Sequence, residues 1–427
     1  QVFTEAQAES FSFDVLDATK IVPEELVPVQ PVGRLVLNRN PDNFFAETEQ
    51  VAFCTAHVVP GIDFSNDPLL AGRIHSYIDT QISRLGGVNF HELPINAPKV
   101  PVRNHQRDGI HRQAVPQGQV AYEPNSLAGG CPFQSGAAGF TSFPQAMAGD
   151  KLRGQPEKFA DHYTQATLFW NSQTPVEQAH IVGGFRFELS KLTVPAIRER
   201  MVSSLVNVSV ELASAVARGL GMALPAAMPT QLSSPTQPEV THSPALSLTA
   251  LPGDGGVRTR KVAMLVADGV DGAPLAALTT LLTGAGATVH VVAERPGPVK
   301  TGDGTPLEAT ATFENTAAVL YDGVVLPDGL AGVKLLAALP PVMDFVADMH
   351  RHGKTLLVLS ASAILLDRAG IDTLLASGEP DPGLLLAPDA TDDHTQDKAA
   401  SDFIAALGRH RHPEREAPAV PTPLTAP

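Results

Sequence analysis

The sequence predicts a protein of mixed fold class, in which an α-helical region precedes an α/β domain with a mostly parallel sheet. Residues 156–223 carry apolar side chains at spacings of three and four, as in TPVEQAHIVGGFRFELSK, which is the period of amphipathic helices. After residue 258 the period alternates, because KVAMLVA and TVHVVAE have strand length and LAALTTLLTGAG between them has helical spacing. Such alternation is typical of an open parallel sheet with helices on both faces.

Composition limits the classes of function. The 427 residues are 43% hydrophobic and leave room for two or three domains. A formal charge of −15 predicts no nucleic-acid partner, and no apolar run reaches the roughly 20 residues that span a membrane. Cys54 and Cys131, in unrelated contexts, argue against a disulfide scaffold and fit a reducing compartment, so we expect a cytoplasmic protein. Because the first residue is Gln1 and no signal peptide follows, we expect a processed chain or part of a longer one.

We expect six segments along the chain. The first 65 residues predict extended chain with turns, and the first clear helix then begins near Asp67 and ends at Gly86. The segments are an amino-terminal part with this helix (1–87), a Pro- and Gly-rich wrapping segment (88–155), a helical domain (156–223), a linker (224–257), the α/β domain (258–410) and a disordered tail (411–427). Two histidines near the tail, His410 and His412, lie beside arginines and are expected to be solvated.

The helix that follows Asp67 carries the side chains that most suggest chemistry. In GRIHSYIDTQ, Arg73 and Tyr77 are four residues apart and share one helical face, and Gln81 follows at the same spacing. A free tyrosine has a pKa of about 10, so a phenolate at neutral pH needs a nearby cation or a metal ion. A guanidinium supplies part of that stabilisation, and ferric iron supplies more by direct ligation. A tyrosine that merely packs in the helix core is the alternative that spacing alone leaves open.

Longer motifs around this helix bear on the choice between these two roles for the tyrosine. VLNRNPDNFFAETEQVAF, followed by VVPGIDFSNDPLLAGRIHSYIDTQISRLGG, closely resembles the proximal haem segment of the monofunctional haem catalases, in which the tyrosine of an R-x-x-x-Y-x-D-x-Q pattern ligates iron. NHQRDGIHR and FWNSQTPVEQAHIVGGFRFELSK match further family segments in the family's order, and the linker with the α/β domain matches the large-subunit branch. The resemblance covers nearly the whole chain.

The resemblance implies roles for individual residues. Tyr77 would be the axial ligand of the haem iron, with Arg73 as its ion-pair partner. Ser76 and Gln81 would line the proximal face of the porphyrin. Cys54 stands at the position from which some large-subunit catalases bond a side chain to the haem tyrosine, and a buried cysteine that only packs is the alternative.

The resemblance also implies an activity and an assembly. The expected reaction is the decomposition of hydrogen peroxide to water and dioxygen by a haem of b or modified d type, in a cytoplasmic homo-oligomer that is expected to be a tetramer, with no nucleic-acid or membrane partner. The implied fold is a remnant of the catalase β-barrel in residues 1–87, then the wrapping and helical segments, then a flavodoxin-like, class I glutamine-amidotransferase-like domain.

Three features depart from the families concerned. His75 stands where catalases usually have phenylalanine, which affects the packing under the helix. The family's contexts for its distal histidine and asparagine are not found, so we expect the carboxy-terminal portion of a catalase that lacks the distal amino-terminal half. The alternative is a non-enzymatic structural fragment that supplies the proximal haem wall and oligomer contacts. In the α/β domain, TLLVLSASA offers Ser360 and Ser362 but no cysteine and no G-x-S-x-G setting, so we expect no amidase or protease activity.

Overall fold

The protein was analysed as a computed structural model, and the chain divides into two compact units. One unit contains residues 1–165 and 230–239, and the other contains 166–229 and 240–427. The structure describes residues 1–58, 61–99, 108–115, 127, 142–144, 146, 148–150, 152–154, 156–232, 234, 236–250, 253–387 and 393–416. Cys131 and most of the predicted wrapping segment lie outside these residues.

The first unit has little regular structure. Its elements are helix α1 (Glu5–Ser10), a π-helical turn (Phe45–Glu49), helix α2 (Pro68–Leu85) and two 3₁₀ turns (Phe90–Glu92 and Glu157–Ala160). A small core of Phe11, Phe13 and Val27 is buried. Residues 28–45 are exposed throughout, and no strand lies among the described residues of 1–87, so the predicted barrel remnant stays a prediction.

Helix α2 forms for local reasons that are visible in the sequence. The Asp67 side chain accepts a hydrogen bond from the backbone N–H of Leu69 at 2.8 Å, and Pro68 occupies the first turn, where its missing N–H costs nothing. Gly86 ends the helix with φ of 80°, a left-handed conformation in which a glycine has no Cβ to clash. The helix therefore has the bounds that the capping residues predict.

Four helices in the second unit confirm the predicted helical pattern. They are α3 (Thr164–Ser172), α4 (Pro175–Ser190), α5 (Pro195–Val206) and α6 (Val210–Gly219), with the first residues of α3 belonging to the other unit. Their shared core consists of Trp170, Leu189, Val202, Leu205, Leu212, Ala213, Val216 and Ala217. Helix α4 begins with a capping box, in which Thr174 and Glu177 each satisfy a backbone N–H of the other.

Glu177 also fixes the linker, which is packed where it passes this helix. The carboxylate accepts hydrogen bonds from the Ser247 hydroxyl at 2.8 Å and from the backbone N–H of Leu248 at 2.9 Å. Burial of the carboxylate acts to raise its pKa, but the N–H of Thr174 and the Ser247 hydroxyl outweigh that effect and lower the pKa of Glu177 to about 2.

Replacing Glu177 with glutamine should destabilise the protein at neutral pH by about 2–3 kcal/mol. Because the folded-state pKa lies below the ordinary value of 4.5, the ionised carboxylate stabilises the fold above pH 4.5, and this contribution is lost as the pH falls towards 2. Urea unfolding followed by the fluorescence of Trp170, the single tryptophan, measures the change. The exposed Glu199→Gln serves as control, and equal stability of the Glu177 variant and the parent at pH 7 would contradict the prediction.

The α/β domain contains eight strands and five helices among the described residues. The strands are β1 (Lys261–Leu265), β2 (Thr288–Ala293), β3 (Gly297–Val299), β4 (Leu307–Ala309), β5 (Ala311–Thr312), β6 (Gly323–Leu326), β7 (Thr355–Leu359) and β8 (Leu384–Ala387). The helices are α7 (Gly272–Gly284), α8 (Leu330–Ala337), α9 (Pro340–Arg351), α10 (Ala363–Ala369) and α11 (Asp393–Gly408). Six strands form one parallel sheet in the order β5-β2-β1-β6-β7-β8, and β3 pairs with β4 antiparallel.

Apolar layers cover both faces of this sheet, which confirms the predicted parallel α/β architecture. Helices α8, α9 and α10 pack on one face, and α7 and α11 pack on the other. All residues of β6 and β7 are buried, as expected for central strands of a parallel sheet. In the part of the chain that the structure describes, no single helix is long and apolar enough to cross a membrane, and the bent pair α8 and α9 meets those criteria only jointly.

The chain that follows α11 differs from the prediction of a disordered tail from residue 411. Residues 411–416 are packed, and they include a 3₁₀ turn over Pro413–Glu416. His412 is fully buried, so the expectation of a solvated side chain was wrong there. The reason is a tertiary contact, because the hydroxyl that lies against His412 belongs to Thr355 in β7, more than 50 residues earlier in the chain.

Candidate functional site

Helix α2 brings together the two residues that the sequence singled out. The Nη2 atom of Arg73 donates a hydrogen bond to the phenolic oxygen of Tyr77 at 2.5 Å. The Cζ atom of the same guanidinium lies 5.1 Å from the centroid of the tyrosine ring. A guanidinium at this distance favours negative charge on an oxygen. The pair therefore presents a phenolic oxygen that is hydrogen-bonded to a cation.

The chain that precedes α2 lies against the same face of the helix. The Phe53 ring meets the Tyr77 ring edge-on, with centroids 5.7 Å apart and an interplanar angle of 74°. Gln81 is buried, and its Nε2 donates to the Phe53 carbonyl oxygen at 3.4 Å. This predicted residue thus contributes by holding the segment that contacts the tyrosine.

Sequence reasoning missed Arg84, which fixes this segment to α2. Its guanidinium donates to Gln81 Oε1 at 2.8 Å, to the Glu49 carbonyl oxygen at 2.5 Å and to the Val51 carbonyl oxygen. Arg84 also borders a groove of about 480 Å³, whose lining is Phe45, Glu49, Gln50, Arg84 and Leu85. The available signal was its spacing, because a residue seven positions after Tyr77 lies on the same helical face, two turns further on.

Cys54 and Ser76 have different surroundings. Cys54 is a buried free thiol, and it directly follows Phe53, whose ring contacts the tyrosine. Ser76 and the unusual His75 are both exposed on α2. A covalent bond between Cys54 and the tyrosine, and a porphyrin contact by Ser76, stay predictions.

The serines of the α/β domain occupy settings of different exposure. Ser362 is buried, and its hydroxyl donates to the Pro327 carbonyl oxygen, whereas Ser360 is exposed. The absence of amidase and protease activity stays a prediction.

At the carboxyl edge between β1 and β6, where doubly wound sheets bind ligands, the loops that follow the two strands approach each other closely. Gly329 has φ of 97°, and a Cβ there would lie 2.6 Å from the backbone N of Asp271. A Cβ on Gly332 would lie 2.4 Å from Val270 Cγ1. Burial, then the charges of Asp328 and Asp303, raise the pKa of the Asp271 carboxyl. The loops at this edge therefore pack closely, and the carboxylates of Asp271 and Asp328 lie beside it.

Among the described residues, no group of three or more His, Cys, Asp or Glu side chains is placed to hold a metal ion. Ligation of iron by a single tyrosine oxygen is a different kind of site.

Comparison with known families gives matches along most of the chain. The Catalase family model matches residues 1–129, the Catalase-related immune-responsive model matches 156–220, and the model of the C-terminal domain found in long catalases matches 258–417. The chain belongs to the catalase family. The third match extends through the α/β domain, which places the chain with the large-subunit haem catalases.

Individual relatives are similar in sequence to this chain along nearly its whole length. Catalase HPII of Pseudomonas putida is 44% identical over 99% of this chain and 57% of its own length. Catalase HPII of Mycobacterium avium is 44% identical over 99% of this chain and 59% of its own length. Catalase-2 of Bacillus subtilis (strain 168) is 41% identical over 97% of this chain and 58% of its own length. The chain therefore spans less than two thirds of the length of these relatives.

Proposed function

We propose that this chain supplies the proximal, iron-ligating side of a haem catalase that decomposes hydrogen peroxide to water and dioxygen. The observation that carries the proposal is the hydrogen bond of 2.5 Å between Arg73 and the phenolic oxygen of Tyr77. Tyrosine is the proximal haem ligand of catalases, and a guanidinium partner favours the anionic form that binds iron.

The residues around Tyr77 fit a porphyrin. The tyrosine is only partly buried, so its oxygen can be reached from outside the helix. Phe53, whose ring contacts the tyrosine, is 62% exposed and offers an apolar surface to a flat macrocycle. The set of an oxygen donor, a cation that stabilises it and an adjacent aromatic surface matches the needs of a ferric haem.

Each residue then has a defined task. Tyr77 would hold the iron, and Arg73, which donates a hydrogen bond to the tyrosine oxygen, would stabilise negative charge on that ligand. Gln81 and Arg84 keep the segment of Phe53 against α2, and Ser76 lines the proximal face. When bound, the haem, of b or modified d type, supplies the redox chemistry that no side chain offers.

We also infer the finer architecture. A flavodoxin-like arrangement of residues 258–410 is supported by the strand order β2-β1-β6-β7-β8 with helices on both faces. A barrel remnant in residues 1–87 is supported by the exposed apolar side chains between Val32 and Leu37, which have no partner strand among the described residues. A tetramer of this chain is supported by the resemblance to large-subunit catalases.

A chimera tests the function. Residues 1–427 replace the matching part of Pseudomonas putida catalase HPII, and the purified chimera is examined for bound haem and for oxygen evolution from hydrogen peroxide. We expect stoichiometric haem, a spectrum of tyrosinate-ligated ferric iron, and oxygen evolution. A folded chimera that binds haem but releases no oxygen, or whose iron has another ligand, would contradict the proposal.

A further inference from the structure

The eight residues that follow α11, 409–416, insert two side chains into the amino-terminal edge of the sheet, and we call them the strap. His412 is fully buried, with its Nε2 2.9 Å from the Thr355 hydroxyl. The backbone N–H of His412 donates to the Gly353 carbonyl oxygen at 2.8 Å. These contacts attach the strap to the beginning of β7.

The second inserted side chain is Arg415, which is 4% exposed. Its Nε donates to Asp381 Oδ2 at 2.5 Å, and its Nη1 donates to the Lys354 carbonyl oxygen at 2.6 Å. Asp381 precedes β8 and is also 3.4 Å from His350 Nε2. The strap therefore spans the ends of α9, β7 and β8.

The sheet edge is shaped for these side chains. A Cβ added to Gly383 would lie 2.2 Å from His412 Cδ2 and 2.6 Å from Arg415 Nη2. Both of these atoms belong to the strap. Only a glycine leaves space for them. The last strap residue, Glu416, pairs with His180 on α4, whose first turn also binds the linker through Glu177. The strap thus connects the sheet edge to the helical bundle.

The charges around His412 oppose a positive imidazole. Arg409 and Arg415 in the strap and Lys354 at the start of β7 are positive, while Glu414 and Asp381 are negative and already bind Arg409 and Arg415. The neighbouring His350 pairs with Asp381. Among the described residues, His412 Nδ1 has no hydrogen-bond partner. A second proton on the ring would therefore have no acceptor there.

Burial, followed by the charges of Arg415 and Arg409, lowers the pKa of His412 to about 4. Asp381 stays ionised well into acid: burial acts to raise its pKa, but hydrogen bonds from His350 and Arg415 outweigh that and hold it far below its usual range. His410, which lies 3.5 Å from Asp322, has its pKa lowered by burial and by Arg411 and Arg260. Both strap histidines therefore prefer the neutral form when seated.

We propose that the strap is an acid-released latch, which stays in the sheet edge while His412 is neutral and leaves it when His412 takes up a proton. This inference does not depend on the proposed peroxide chemistry, since it concerns the other unit of the chain.

The expected size of the effect follows from the two protonation equilibria. A detached strap has a histidine with the ordinary pKa of 6.5, whereas the seated one takes up a proton only near 4. Stability of the latch is complete above pH 6.5 and falls as the pH drops from there towards 4. Between pH 7 and pH 5 the ratio of detached to seated strap should rise about twenty-fold, and His410 adds to this in the same direction.

Hydrogen exchange of the whole chain, read by mass spectrometry at both pH values and corrected for the intrinsic rate, measures this ratio. Strap peptides should lose about twenty-fold in protection, and the α7 peptide should not change. His412→Gln is neutral at both pH values and keeps an amide for Thr355, so it should lose most of the pH dependence. His352→Gln removes an exposed histidine at the same edge and should retain it.

A second pair of variants tests the space at Gly383 into which the strap side chains insert. Gly383→Ala should detach the strap at both pH values, because the new methyl group would overlap His412 and Arg415. Gly284→Ala, which has no atom within 4 Å of the new Cβ, is its control. The latch would be overturned by unchanged strap protection of the parent between pH 7 and pH 5. It would also be overturned if strap peptides of His412→Gln still lost about twenty-fold in protection over the same pH range. If His412→Gln does not seat, NMR titration of histidines in the parent decides, since a pKa of His412 near 6.5 with the strap still protected refutes the proposal.

Discussion

Replacing Tyr77 with phenylalanine in the chimera should reduce haem affinity by about 100-fold or more and bring oxygen evolution down to that of free haem. The substitution removes the oxygen that we propose as the iron ligand and keeps the ring, so the contact with Phe53 is retained. Absorption spectra should lose the signature of a tyrosinate ligand. Tyr321→Phe, which removes a buried hydroxyl from the α/β domain, serves as control and should leave haem and turnover unchanged.

Variants of Arg73 test the hydrogen-bond partner of the proposed iron ligand separately from the ligand itself. Arg73→Ala should retain haem but lower activity about 10- to 100-fold, because a group that orients and charges a metal ligand typically contributes that much. Arg73→Lys should restore part of the loss, since it returns the charge without the planar fork. If Tyr77→Phe kept full turnover, iron would have another ligand. Equal activity of Arg73→Ala and the parent would mean that the hydrogen bond of 2.5 Å has no role in the reaction.

Local signals predicted the parts of this protein that depend on nearby residues. The ends of α2 are defined by a cap at Asp67, a first-turn proline at Pro68 and a left-handed glycine at Gly86. All three can be identified from the sequence alone. The spacing of Arg73 and Tyr77 predicted their contact for the same reason, because a helix converts four residues into one turn. The change of period after residue 258 likewise predicted the parallel sheet.

The parts that sequence reasoning missed depend on contacts between distant segments. Arg84 binds the Glu49 carbonyl oxygen 35 residues away, and no periodicity links the two positions. His412 and Arg415 follow a helix in a stretch of alternating His and Arg, which resembles a solvated tail. Their burial is decided by the space above Gly383, which a single sequence does not reveal.

Residues 1–427 expressed by themselves should bind haem weakly and decompose peroxide at about the rate of free haem. A catalase needs a base to move the proton of the peroxide and a donor to orient it. The family's contexts for those two groups do not occur in this sequence. Haem titration and oxygen evolution measure the outcome, with the chimera as the matched comparison, and restoration of both by a separately supplied amino-terminal segment of the relative would support the same reasoning.

The surface of the first unit gives this prediction a physical basis that can be tested separately from activity. Val32, Leu35 and Leu37 are 93%, 88% and 90% exposed and lie close together in the chain, which makes an apolar surface that other chains can contact. We therefore expect residues 1–427 to self-associate in sedimentation velocity, and Leu35→Lys with Leu37→Lys to reduce that association. In the chimera the same double substitution should impair folding if the run is covered there, whereas Arg34→Lys should be neutral in both settings. Full turnover by a chain of verified mass that begins at Gln1 would contradict the prediction and would mean that a histidine of this chain acts as the base.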